Sequence, residues 1–99
     1  MTTGEAFVVK EARLTGPREA TVSVEAATIA DVVSPAARGR AIMEGQKLGL
    51  QRAGLDPVNG LQPYAVNYEG EPIGRPAGVP GGSPDPVAAY RVDYQVRGM

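Results

Sequence analysis

Residues 89–97, AYRVDYQVR, constrain the fold more than any other stretch of this chain. Tyr90, Val92, Tyr94 and Val96 fall on one side of an extended backbone, and Arg91, Asp93, Gln95 and Arg97 on the other. A period of two is the pattern of a β-strand that is buried on one face and wet on the other. It predicts an antiparallel sheet with one covered face and one open face. An earlier run follows the same rule, with Ala20, Val22, Val24 and Ala26 alternating with Thr21, Ser23 and Glu25. Valine and threonine favour strands, so propensity and period agree.

The remaining elements follow from local chemistry. A first strand is expected over 5–14, closed onto the second by a Gly-Pro turn at 15–19. Ser34-Pro35 reads as a helix start: the serine hydroxyl accepts from a free backbone N–H, and proline at the first helical position forfeits no bond. The helix is expected to reach Ala53, with Gly54 as its left-handed terminator. Arg40, Glu44, Lys47 and Gln51 form its solvent stripe, and Ala41, Ile42, Gly45, Leu48, Gly49 and Ala53 its inner side. Gly45 and Gly49 on that side predict a helix lying close on the sheet. A loop at 55–60, a strand over 61–69, a Pro/Gly-rich loop at 70–86 and the strand at 89–97 complete the chain. The expected fold is one α+β domain over 1–99. It has a four-stranded, mainly antiparallel sheet with one helix on one face, in the order β-β-α-β-β.

Composition narrows the chemistry. Ten basic and eleven acidic residues give a net charge of −1, without the concentrated basic stripe of a nucleic-acid binder. Histidine and cysteine are both absent. The commonest zinc ligands and the commonest general base are therefore missing, and no metal or cofactor is expected. Ser23, Ser34 and Ser83 have no histidine to activate them, and Lys10 and Lys47 fall on expected exposed faces. Asp85, Asp93, Glu69 and Glu71 could approach one another across the final hairpin, but read as solvated surface charge. The glycines of 70–82 open no helix and so form no phosphate cradle. The N-terminal stretch lacks a secretory pattern, and no apolar run approaches the ~20 residues needed to cross a bilayer. A cytoplasmic chain or a virion component is the expectation.

What remains is a set of residues suited to contact: Tyr64, Tyr68, Tyr90, Tyr94, Arg91 and Asp93. Two uses compete. In the first, a non-enzymatic assembly module associates with itself, or docks on another structural protein, through its open face or a sheet edge. The last strand is the expected edge, and a phage virion component is one concrete version. In the second, Tyr64, Tyr68, Tyr90 and Tyr94 line a pocket between helix and sheet that takes a small apolar or cationic ligand.

Four stretches resemble half of a SIMPL domain: ATVSVE at 20–25, RAGL at 52–55, PYAVNY at 63–68 and AYRVDYQV at 89–96. The likeness covers roughly 12–97, and that family has two such halves. The resemblance therefore implies a second copy of the chain, in a homodimer or ring, and an oligomeric scaffold role without catalytic residues. A weaker likeness joins GLDP at 54–57, Gly60 and the closing strand to gyrase-inhibitor-like effector-binding domains. That resemblance implies an acidic residue in an aromatic pocket, for which Glu69 beside Tyr68 is the candidate.

Overall fold

A computed structural model describes residues 6–56, 62–73 and 87–99 of the protein. The elements are strands β1 (Phe7–Gly16) and β2 (Glu19–Ala26), helices α1 (Ile29–Val32) and α2 (Pro35–Lys47), and strands β3 (Gly54–Leu55), β4 (Tyr64–Val66) and β5 (Ala89–Arg97). The expected α+β architecture is present, with a short helix and a two-residue strand added to it. The strands form one antiparallel sheet in the order β1-β2-β5-β3, with β4 also on β5. Residues 74–86, which hold most of the expected Pro/Gly loop and Asp85, lie outside the described residues.

The alternation read from β2 and β5 sets the layers. Ala20, Val22, Val24 and Ala26 pair with Val96, Tyr94, Val92 and Tyr90, and all eight project to the helix side. Ala37 and Ala41 of α2, Val32 of α1, Phe7 and Leu50 close the same cluster. Val22, Val24, Val32, Val92 and Val96 are fully buried. Each such side chain contributes roughly 1.5–3 kcal/mol relative to exposure.

Helix α2 starts as its sequence dictates, with the Ser34 hydroxyl accepting from the Ala37 N–H and Pro35 in the first turn. Its solvent stripe forms ion pairs, with Arg40 Nε 2.8 Å and Lys47 Nζ 3.4 Å from Glu44 Oε2. Its end differs from expectation. The helix stops at Lys47, Gly49 takes a left-handed φ of +108°, and Leu50 turns into the core. Gly54 instead begins β3. Gly45 explains how low the helix sits: a Cβ there would lie 2.6 Å from Val96 Cγ1. Only a residue without a side chain admits that approach.

The sheet order corrects one expectation. Strand β5 is not an edge, because β2 flanks it on one side and β3 and β4 on the other. Its charged side chains are matched by cross-strand partners, so they mark a central strand. The outer position belongs to β1. Its register with β2 shifts between Val9 and Glu11 and again between Leu14 and Gly16. Bulges of this kind are characteristic of sheet edges.

Candidate functional site

The open face of β2 and β5 carries a ladder of three polar pairs in register: Thr21 opposite Gln95, Ser23 opposite Asp93, and Glu25 opposite Arg91. Each pair is bonded. Thr21 Oγ1 lies 3.2 Å from Gln95 Oε1, Ser23 Oγ donates to Asp93 Oδ1 at 2.7 Å, and Arg91 Nε donates to Glu25 Oε2 at 2.7 Å. Arg91 Nη2 also binds Glu25, so one guanidinium edge is held by that carboxylate. From β4, opposite Arg91, the Tyr64 hydroxyl reaches diagonally to Asp93 Oδ2 at 2.9 Å. Asp93 is thus tied by hydroxyls from two other strands.

Electrostatics reinforce this order. Burial raises the Tyr64 pKa above its ordinary value, and the hydrogen bond to Asp93 raises it further against the opposing pull of Arg91. Burial alone would lower Arg91, but its bonds to Glu25 and Tyr64 outweigh that and leave it raised. Both groups stay in their donor forms through the neutral range.

The six expected contact residues separate into three places. Tyr64, Arg91 and Asp93 come together on the open face. Tyr90 and Tyr94 lie on the opposite, helix side, where Tyr94 is 2 % exposed and its hydroxyl donates to the Val32 carbonyl at 2.6 Å. Tyr68 is 77 % exposed in a turn. There the Asn67 side chain accepts from the Glu69 and Glu71 N–H groups, and Gly70 has a φ of +83°. A four-tyrosine pocket under the helix is therefore ruled out. The strand expected over 61–69 narrows to β4, and Tyr64 falls on the face opposite to Tyr90 and Tyr94. At Gly45 the helix lies so close that a Cβ would meet Val96 Cγ1 at 2.6 Å, which leaves no room for a pocket there.

Ser23 was weighed from the sequence only as a nucleophile, and Glu25 and Asp56 were not singled out. The opposite charges of Glu25 and Arg91 on matching strand faces are the signal that could have found the first two. Asp56 is buried, its backbone N–H donates to the Gln95 carbonyl at 2.8 Å, and its carboxylate lies 3.1 Å from Arg97 Nε. It clamps β3 to the end of β5. Among the described residues no cluster of acidic side chains could hold a metal ion, and no helix is long and apolar enough to cross a membrane.

The second notable surface is the outer edge of β1. Among the described residues no strand pairs with it, and Val8 and Leu14 are 55 % and 52 % exposed. A shallow depression of about 250 Å³ adjoins the start of β1, between Phe7-Val8, Ala26-Ala27 and Ala88-Ala89. No protein-family model matches the chain, and neither does any curated protein or solved structure.

Proposed function

We propose that this chain is a non-enzymatic assembly module that self-associates through the edge of its sheet. The observation that carries this reading is the outer side of β1, ten residues long and without a partner strand among the described residues. An extended edge presents backbone N–H and C=O groups in the spacing another strand requires. The exposed Val8 and Leu14 add apolar surface to the same strand.

The open face supports this choice of surface indirectly. Its hydroxyls and carboxylates are occupied by one another across β2, β4 and β5, so they brace the sheet. Resemblance to half of a SIMPL domain fits the same reading, since a half-domain finds its complement in a second copy. A repeating position in a virion shell is one setting that would use such an edge.

Sedimentation over a concentration series tests the proposal. A dimer or larger species is expected, with a mass that falls on dilution. A pure monomer at about 1 mM, where a contact of only about 4 kcal/mol would already half-assemble, overturns it.

A further inference from the structure

We infer that two copies join β1 to β1 antiparallel about a two-fold axis at Ala12, so that Glu11 of each copy faces Arg13 of the other. The inference rests on the assembly reading and specifies its partner and register.

The two register shifts in β1 leave residues 11–14 as the regular run between them, paired to Ser23, Val22, Thr21 and Ala20. Directly opposed residues of an antiparallel pair share a face. Glu11 and Arg13 therefore lie on the open side with Ser23 and Thr21, and Ala12 and Leu14 on the helix side. Glu11 and Arg13 are both exposed, and neither has an ion-pair partner among the described residues.

Identical strands paired about a two-fold axis have few registers to choose from. An axis at Ala12 sets Glu11 against Arg13 twice and alanine against alanine between them. An axis at Arg13 opposes two arginines, and an axis at Glu11 opposes two glutamates; like charges directly opposed destabilise a pair. An axis midway between two residues would oppose side chains from different faces, such as Glu11 and Leu14, and so is not open to an antiparallel pair. Charge complementarity thus selects one isologous arrangement. In it the two sheets become continuous, with both α2 helices on the same side.

Sedimentation equilibrium on the full chain tests this register. Glu11→Arg and Arg13→Glu each oppose like charges twice, so each should raise the dimer dissociation constant about tenfold or more. Combining both changes in one chain should restore wild-type affinity. Mixing the two single variants should give heterodimers tighter than either homodimer, because a chain with two arginines then meets one with two glutamates. Both side chains are exposed, so melting temperatures taken at concentrations low enough to keep the chain monomeric should not move, whereas at higher concentrations they should fall with the loss of dimer. Single variants that dimerise as well as wild type overturn the register and leave the assembly reading intact. A wild-type chain that stays monomeric overturns that reading and this inference with it.

Discussion

The two faces of this sheet are made from alternate residues of the same strands, yet different physics holds each of them. On the helix side, Val22, Val24, Val92 and Val96 meet Ala37, Ala41 and Gly45, and the constraint is volume. On the open side, Thr21–Gln95, Ser23–Asp93 and Glu25–Arg91 meet in pairs, and the constraint is identity. Apolar packing supplies most of the stability but discriminates weakly between strand registers that differ by two residues. The polar ladder discriminates strongly: a two-residue slip of β2 against β5 in one direction would set Glu25 against Asp93. Like charges opposed across a strand pair disfavour that register.

The largest difference between the faces should come from truncation. Leu50→Ala removes a core side chain that packs beside Gly45 and Gly98, and should destabilise by about 2–5 kcal/mol in denaturant unfolding. Asp93→Ala, on the open face, should cost about 1–3 kcal/mol, because the buried Ser23 hydroxyl loses its acceptor. If Asp93→Ala proves the costlier change, the division of labour between the faces is wrong.

A smaller effect tests volume on the helix alone. Gly45→Ala should destabilise by about 1–3 kcal/mol, since the new methyl meets Val96. Gly39→Ala, on the same helix with open space around it, should stabilise by about 1 kcal/mol. Thermal melts of the pair should move in opposite directions.

The smallest effect compares one tyrosine from each face. Burial, and then Asp93, raise the pKa of Tyr64, and burial raises that of Tyr94. Each folded value lies above the ordinary 10.0. The stability linked to both is therefore whole below that pH and is lost as pH climbs through the folded values. A denaturant midpoint that declines above about pH 10 is expected, with a shallower decline in the Tyr64→Phe, Tyr94→Phe double variant.

Much of this was legible locally. Ser34-Pro35 marks the start of α2 because capping involves only neighbouring residues. Arg40, Glu44 and Lys47 pair because helical spacing alone brings them together. The close approach at Gly45 was legible too, since a glycine on a helix's inner stripe has few other uses. Gly49 on the same stripe misled. Its left-handed φ ends the helix; Ala53, expected as the last helical residue, lies between a turn at 51–52 and β3, and Gly54, expected as the terminator, begins β3. The candidate site was legible only in its ingredients. Tyr64, Arg91 and Asp93 could be named, but not joined to Ser23 and Glu25.

The sequence by itself determined which residues of β2 and β5 are buried, where α2 begins, and that one sheet face would be wet. Periodicity and capping are properties of neighbouring residues, and no distant contact is needed to express them. Tertiary structure decided that β5 lies centrally and β1 at the rim, that Tyr64 sits apart from Tyr90 and Tyr94, and that Asp93 meets Ser23. Strand order joins residues as distant in the chain as Glu19 and Arg97. Many orders satisfy the same alternation, and only the packing of the whole chain selects one of them.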